Sequence, residues 1–420
     1  MAGENYVTYL DAVQRPFVKL CRLRFLNPDG STAFALDNNP KRRWNQTFIA
    51  DGTLTVNLQN GQRRTCNVVL DNVNADYDFA YGKIWFGDEV ALDEGIVLPN
   101  GQEFYIQQGI FLFDIPSEGV VPVGRTMSYN LIDKWSNLDG SRMGNLEGTY
   151  EVEDGTNIFE PITELLQEDR GNGIPLDRIT PVYTDYYNNM TQVLTNGTTA
   201  SLVDTPYTLT VNGGSTKADV VLGLVAMVNG WVGYDASGTL RVEPSQDDIS
   251  DKTKPVVWTF SQANSTLLGM TYSSNLSDVY NDYIVVGEQL DNNYQPTARA
   301  QNYDPASDTN INIIGRKTYW EQASGYGTDE MCKDYATWKL KRTTVLQKSV
   351  SISCTQLLHL QENCIVEIVR TDKVDNPVER HLIQGFSRPL VGNEEMTINA
   401  ISVLDFPNLT VTTPSREYIQ

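Results

Sequence analysis

Short runs of alternating apolar and polar residues, each ended by turn-forming residues, constrain the fold of this 420-residue chain more than any other feature. Between Phe17 and about Trp135 the runs are broken at Asn27–Gly30, at Asn60–Gly61 and at Asn100–Gly101. A period of two is typical of half-buried strands, and Asn-Gly is a common hairpin turn. Many short strands at this spacing predict a β-barrel or a β-sandwich.

The same pattern predicts individual strand pairs in this first region. Thr53–Leu58 and Gln62–Leu70 flank one Asn-Gly turn and should form a hairpin. Glu103–Ile115, followed by Arg125–Asp133, should continue the meander. From Pro255 onward strand-like segments resume, so the chain should contain two β-rich regions.

Three helices are predicted outside the first β-rich region. A short one should lie around Pro161–Glu168. A second begins after Thr216, whose hydroxyl can cap it together with Asp219 three residues on. The third has Thr328 before it, acidic residues in its first turn and basic residues near its end, which predicts a helix over Asp329–Thr344.

Two short patterns recur in the same order in the two β-rich regions. IQQGI at Ile106–Ile110 is echoed by LIQGF at Leu382–Phe386, and MSYNLI at Met127–Ile132 is echoed by MTINAI at Met396–Ile401. Strand sequences draw on few residue types, so chance is one explanation. An internal duplication is the interpretation we favour, because it also explains the order. Three copies of a duplicated barrel would present six similar units around an axis.

The chain length predicts more than one domain, since single cores rarely grow beyond about 250–300 residues. We expect an N-terminal β-barrel domain at 1–147, a mixed α/β inserted domain at 148–245, and a second β-barrel domain at 246–420 that carries the long helix. The predicted fold class is therefore mainly β with α+β insertions: two related β-barrels and a smaller mixed domain.

The balance of charge is strongly acidic, with 53 Asp and Glu against 32 Lys and Arg and a formal net charge of -21. Such a charge repels phosphate, which argues against stable binding to nucleic acid or to an anionic membrane. Two explanations stay open: solubility alone, and a surface past which a polyanion slides without adhering. No secretory signal is visible before Phe17, and the apolar stretch Val220–Val228 is too short to cross a bilayer. We expect the protein to fold in a cytosol.

Signatures of common enzymes and cofactor sites are absent from the sequence. It contains no GxSxG, Walker or GxGxxG motif, and its five scattered cysteines include no Cys-x-x-Cys pair. The two histidines, His359 and His381, have no partner at metal-ligand spacing. Cys364 and His381 could form a nucleophile pair, although strand packing explains both residues. We predict no catalytic, cofactor-binding or metal-binding residue, and no enzyme activity.

Two acidic runs are weaker candidates for ion binding. The run Asn72–Asp78 resembles a calcium loop, but Tyr77 stands where the loop needs glycine and Lys83 stands where it needs a bidentate glutamate. Asp247–Asp251 could hold an ion loosely, yet an exposed linker between two regions explains this segment better. Neither run therefore predicts a metal site.

Aromatic residues cluster at Tyr183–Tyr187 and again at Tyr319 and Trp320. Exposed aromatic rings can stack on sugar rings, which would make the chain a glycan-binding module. Buried strand aromatics are the more common explanation of such clusters. Both interpretations stay open.

Several stretches resemble the hub family found at the tip of phage tails and in related contractile injection systems. In order along the chain they are Leu20–Asn39, Gly52–Leu70 with its NGQRR turn, Val279–Gly287, Tyr303–Gly315 and Asp329–Val369. Each is a pattern of strand and turn, and together they span most of the chain. The resemblance implies two tail-tube-like barrels per subunit, an inserted smaller domain, and a homotrimeric ring that continues the tail tube.

The resemblance also implies a location and partners. A hub is a structural protein of the baseplate or tail tip, assembled in the host cytoplasm, and it contacts tail-tube or distal-tail protein, tape-measure protein and spike or tip proteins. DNA would pass through its lumen without stable binding, and no cofactor or membrane insertion is expected. A glycan- or receptor-binding tail module is one alternative. A glycosidase whose carboxylates are brought together only by the fold is another.

Overall fold

The computed structural model of the chain describes all residues except 1–3, 40–47, 73–74, 76, 79–83, 122–123, 172, 186–190, 194–197, 245–251, 262–264, 288, 290–293, 324–325 and 415–420. The helices of the described part are α1 (Glu4–Ala12), α2 (Phe159–Gln167), α3 (Lys217–Met227), α4 (Ile311–Ile314) and α5 (Asp329–Thr343), with a 3-10 turn at Lys134–Asn137.

The strands of the N-terminal and middle parts are β1 (Lys19–Leu26), β2 (Thr32–Asp37), β3 (Phe48–Asn57), β4 (Arg64–Asp71), β5 (Glu89–Val97), β6 (Glu103–Val121), β7 (Gly124–Asp133), β8 (Tyr150–Val152), β9 (Val182–Tyr183), β10 (Thr191–Val193), β11 (Thr199–Ser201), β12 (Leu209–Val211), β13 (Gly230–Tyr234) and β14 (Leu240–Pro244). Those that follow are β15 (Val256–Ser261), β16 (Leu267–Ser274), β17 (Asp282–Val286), β18 (Thr297–Asn302), β19 (Thr318–Gln322), β20 (Lys348–Cys354), β21 (Ile365–Val369), β22 (Val378–Pro389), β23 (Met396–Ser402) and β24 (Leu409–Thr412).

One sheet of thirteen strands contains both β-rich regions. Its main path runs β16-β20-β23-β22-β3-β4-β7-β6-β5-β1-β2, and β21 and β15 branch from β22. The two regions join where β22 pairs antiparallel with β3, from Gly385 opposite Asn57 to Pro389 opposite Thr53. One hydrophobic core, which extends from Tyr9 to Ala400, packs against this sheet. The fold is therefore mainly β, as predicted.

The two β-rich regions repeat the same strand order. The first runs β1-β5-β6-β7-β4-β3 and the second runs β15-β21-β22-β23-β20-β16, so each strand has a counterpart at the same position and in the same chain order. Neighbours are antiparallel throughout except that β15 is parallel to β21, whereas β1 is antiparallel to β5. The shared order favours the internal duplication over a chance echo.

The sequence echoes lie on corresponding strands, but their pairing registers differ. Gln108 on β6 forms a bulge, since Gly109 pairs with Leu92 and Gln107 with Asp93 on the preceding strand. The bulge at Gln384 on β22 instead faces the following strand, β23. The two halves are therefore related by topology rather than residue by residue.

The two barrels predicted from the sequence are not confirmed. Among the described residues the strand path ends at β2 and at β16, and no pairing links these two edges into a closed ring. In the part of the chain that the structure describes, each six-stranded unit is an open part of the shared sheet. The predicted hairpin around Asn60–Gly61 and the β6–β7 meander are confirmed as antiparallel pairs.

The middle of the chain forms a separate core in which α2 and α3 pack with the small sheets β13-β14-β9 and β8-β12. The predicted cap is confirmed, because the Thr216 and Asp219 side chains each bond the other's backbone N–H. Trp135 and Leu138 belong to this core although they precede the expected boundary at 147. The domain limits stay predictions.

A further small unit combines the segment between β16 and β20 with the strand β24, which follows β23. The strands β19-β17-β18-β24 form a four-stranded sheet, and α5 packs on it through Cys332, Ala336 and Leu340. The predicted helix is confirmed with its cap, since the Thr328 hydroxyl accepts a hydrogen bond from the Met331 N–H at 3.2 Å. The separate sheet beside it was not predicted.

Candidate functional site

A buried cluster of charged side chains lies where the two halves of the sheet meet. Glu94 on β5 accepts a hydrogen bond from Arg388 Nε on β22 at 2.6 Å. It also forms an ion pair with Lys19 Nζ on β1 at 2.8 Å. All three side chains are at most 1% exposed. We call these three residues the ionic junction. It connects residues that are up to 369 positions apart in sequence, since 388 minus 19 is 369.

The ionic junction continues through Gln108 into the loop before β21. Arg388 Nη2 donates to Gln108 Oε1, which also accepts from Gln361 Nε2 at 3.0 Å. On β4, Arg64 donates to the Glu362 carboxylate in the same loop and to the Tyr234 carbonyl of the middle unit at 3.3 Å. Three parts of the chain are therefore held by one buried polar network.

Opposite charges decide the protonation of Glu94. Burial by itself would raise the pKa of this carboxyl, but the positive charges of Arg388 and Lys19 outweigh burial and lower the pKa. The carboxylate is thus kept ionised between two cations. Such an arrangement fixes strands in place, because an unpaired charge in this position is costly.

A second buried acid, Asp133, lies at the passage from β7 into the middle unit. Its carboxylate accepts hydrogen bonds from the backbone N–H groups of Arg63 at 2.8 Å, Arg64 at 2.9 Å and Trp135 at 3.1 Å. Burial outweighs these bonds and raises its pKa to about 6. This carboxyl orients backbone, and its contacts are those of a structural residue.

The histidine and cysteine side chains have the surroundings of packed residues. The His359 ring lies 5.3 Å from the Trp258 ring and its Nδ1 is 3.1 Å from the Tyr9 hydroxyl, and burial lowers its pKa to about 4. Cys364 is next to β21, where Val366 pairs with His381, so the thiol and that imidazole are offset along adjacent strands. Burial raises the Cys364 pKa, which disfavours the thiolate that a nucleophile pair would need.

The acidic runs give no ion site among the residues that the structure describes. Asn72 Nδ2 donates to Asp78 Oδ1 at 2.7 Å, and Arg125 pairs with the same carboxylate at 2.5 Å. Asn74, Asp76 and Lys83 lie outside the described residues, as does Asp247–Asp251. In the described ranges no three His, Cys, Asp or Glu side chains are grouped as metal ligands.

The two aromatic clusters differ in exposure. Tyr183 stacks on Phe159 with ring centroids 3.5 Å apart, and its hydroxyl is 2.8 Å from that of Thr163, which are contacts of a packed ring. Its neighbours Tyr186 and Tyr187 lie outside the described residues. The other cluster is on the edge strand β19, where Tyr319 is 40% exposed and Trp320 is 54% exposed.

Comparisons with known proteins identify the fold. No protein-family model and no curated protein matches the sequence. The tail protein from Neisseria meningitidis MC58 aligns at 10% identity and a TM-score of 0.57, over 92% of this chain and 97% of that chain. The 43 kDa tail protein of prophage MuSo2 from Shewanella oneidensis aligns at 10% identity and a TM-score of 0.57, over 91% of this chain and 98% of that chain. The prophage tail protein gp18 from Listeria monocytogenes EGD-e aligns at 8% identity and a TM-score of 0.52, over 90% of this chain and 94% of that chain.

This chain therefore has the fold of phage tail proteins, as the resemblance in its sequence implied. No helix among the described residues is long and apolar enough to span a membrane.

Proposed function

We propose that the chain is a structural, non-enzymatic subunit of a phage tail: the hub of the baseplate or tail tip. Three copies would form a ring that continues the tail tube and links it to the tip or spike. The observation that carries this proposal is the fold shared with three tail proteins over at least 90% of each chain. A shared short motif would leave most of the molecule unexplained, whereas this likeness extends over at least 90% of the chain.

The repeated strand order supports the ring. A chain with two units of the same topology presents six of them when three chains surround an axis, so a trimer can match a sixfold tube. In that arrangement the open units could close into barrels by pairing across subunits. Among the described residues β2 and β16 are the two ends of the main strand path, and such edge strands are candidates for this pairing because they readily accept a neighbour.

The ionic junction supports a structural rather than a catalytic role. Glu94 is fully buried and its charge is compensated by Arg388 and Lys19, so the carboxylate is not accessible to a substrate. Catalytic groups usually line a cleft and have protonation tuned for proton transfer. A network that ties three units together instead suits a subunit that transmits force.

The net charge of -21 is consistent with a channel through which DNA moves. An acidic lumen repels the phosphate backbone and prevents adhesion. We propose that the ring surrounds DNA or the tape-measure protein without binding DNA stably, and that it contacts the tail-tube or distal-tail protein at one face and the spike or tip at the other.

Molecular mass and co-assembly test the proposal. Three chains of 47.0 kDa give about 141 kDa, which light scattering coupled to gel filtration resolves from a monomer. Purified tail-tube or distal-tail protein of the same phage should shift the trimer to a larger complex. A monomer at every concentration, with no shift in the presence of either protein, would contradict the hub.

The exposed Trp320 favours a second candidate, a glycan-binding tail module. The Trp320 ring on the edge strand β19 provides a flat apolar surface on which a sugar ring can stack. Retention of the protein on purified host cell-wall glycan, lost in Trp320→Ala but kept in Trp258→Phe, would support this function. Absence of retention would exclude glycan binding and leave the hub as the one proposed function.

A further inference from the structure

A cavity of about 330 Å³ opens where β20, β22 and the end of β23 meet. Its polar wall contains three basic side chains, Lys252, Lys348 and Arg380, together with His381 and one acid, Glu379. In a chain with an excess of acidic residues, a concave surface with more basic than acidic groups is unusual. Its volume is at the lower end of the range for small-molecule sites.

The charges around the cavity are only partly compensated. Lys252 pairs with Asp405 at 2.5 Å, Arg380 lies 4.0 Å from Glu367, and Glu379 is shared with Arg370 at 3.4 Å and Lys373 at 3.1 Å. Lys348 makes no ion pair with any residue in the described part of the chain. The cavity therefore retains a positive charge that the protein itself does not neutralise.

His381 is a buried polar group to which no described residue gives a hydrogen bond. Its side chain is 1% exposed, and within the described ranges neither ring nitrogen has a partner. Glu379 Oε2 lies 3.6 Å from Nε2, which is too long for a hydrogen bond. Buried polar groups are nearly always satisfied in native proteins, so an imidazole in this state at a cavity wall points to a ligand.

We propose that this cavity binds a small organic anion, whose carboxylate or phosphate group contacts Lys348 directly and His381 once its enclosed ring turns towards the cavity. The apolar part of the ligand would lie against Val403 and Leu404, which also line the cavity. A charged oxygen supplies the acceptor that both groups lack, and charge-assisted hydrogen bonds are the strong ones. The site is independent of the proposed tail role and does not rest on it.

The surroundings of His381 give the binding a defined pH dependence. Burial lowers the His381 pKa, Lys348 and Arg370 lower it further, and Glu379 partly opposes them, so the free site holds a neutral ring. The Tyr272 ring packs 6.0 Å away. A bound oxyanion favours the protonated ring and raises that pKa. Binding therefore takes up a proton and weakens as the pH rises.

Nuclear magnetic resonance of the imidazole groups tests the site in the full-length protein. The chain has two histidines, so His381 reports the cavity and His359, enclosed by Tyr9 and Trp258, serves as an internal reference. Inorganic sulfate, benzoate and phenyl phosphate are titrated separately against a chloride control. We expect saturable shifts of the His381 signals alone, and tighter sulfate binding at pH about 6 than at pH about 8.

Two matched variants separate a specific site from general screening. Lys348→Met should weaken binding about tenfold, as the loss of a charge-assisted hydrogen bond does, and Lys333→Met on the exposed face of α5 should not change it. Comparing the affinities for benzoate and phenyl phosphate decides whether the site prefers a carboxylate or a phosphate group. No saturable His381 shift with any of the three anions, or equal weakening in both variants, would overturn the site. If neither aromatic anion binds more tightly than sulfate, the apolar contact is wrong.

Discussion

Removing single charges from the ionic junction should destabilise the fold in a defined order. Arg388→Met takes away one of the two cations that pair with Glu94 and leaves the 2.8 Å pair between Glu94 and Lys19 intact. Glu94→Gln takes away the one carboxylate within ion-pair distance of either cation among the residues the structure describes. Two buried like charges then remain with neutral hydrogen-bond acceptors and without a carboxylate.

The expected losses follow from this difference. Breaking a buried ion pair by removing one partner costs about 3–5 kcal/mol. We expect Arg388→Met to lower the free energy of unfolding by about 3 kcal/mol, because one neutral pair survives, and Glu94→Gln by about 5 kcal/mol or more. With a denaturant slope of about 3 kcal/mol per M, the urea midpoints should fall by about 1 M and about 1.7 M.

Urea unfolding followed by tryptophan fluorescence measures both midpoints. The control is Lys333→Met, which removes an exposed ion pair between residues three apart on α5 and should leave the midpoint unchanged. A midpoint for Arg388→Met equal to or below that of Glu94→Gln would refute the reasoning, because it would show that Glu94 does not compensate both cations.

Three further predictions concern the sheet, the thiols and one acid. Gly385→Ala should destabilise by about 1–3 kcal/mol in the same assay, since its Cβ would lie 2.4 Å from a carbonyl oxygen of β3, whereas Gly269→Ala, with open space around it, should be neutral. At pH about 8 a thiol reagent should react with at most one thiol of the native protein, that of Cys364, because the other four cysteines are buried. All five thiols should react after unfolding. Fast reaction of several thiols in the native state would contradict the packing. The pKa of Asp133 is about 6 in the folded protein, against an ordinary value of 3.8. Between these two pH values the folded protein keeps a proton on this carboxyl that the unfolded chain has lost. The free energy of unfolding therefore falls by about 3 kcal/mol as the pH rises through this range. The difference in stability between wild type and Asp133→Asn should therefore move in favour of the variant as the pH rises, and a flat difference would show that the acid is not buried.

The predictions that succeeded depend on interactions between residues close in sequence. The hairpin around Asn60–Gly61 is set by alternation and turn chemistry. The caps at Thr216 and Thr328 are bonds to residues three positions on. The sequence predicted no counterpart of α1, which lacks such signals; its Tyr9 hydroxyl accepts a hydrogen bond from Leu358 N–H, 349 residues away.

The ionic junction could have been suspected but not assembled. Glu94 stands in β5, whose residues are nearly all buried, and an acid in such a run must find a cation. Nothing in the sequence identifies that cation as Arg388 or Lys19. The same is true of the cavity. Lys348 on β20 and His381 on β22 become neighbours only because both strands pair with β23, one on each side of it.

Sequence alone therefore determined that the chain is mainly β and where its best-capped helices begin, because alternation, turns and caps act over a few residues. It also predicted that two of its regions are related. Only the tertiary structure decided that the two regions share one sheet, in which the described strands close into no barrel. The reason is physical: β22 is long enough to pair with β21 and β23 in its own region and with β3 in the other, and the buried charges of Glu94 and Arg388 make that junction the arrangement in which neither is left unpaired.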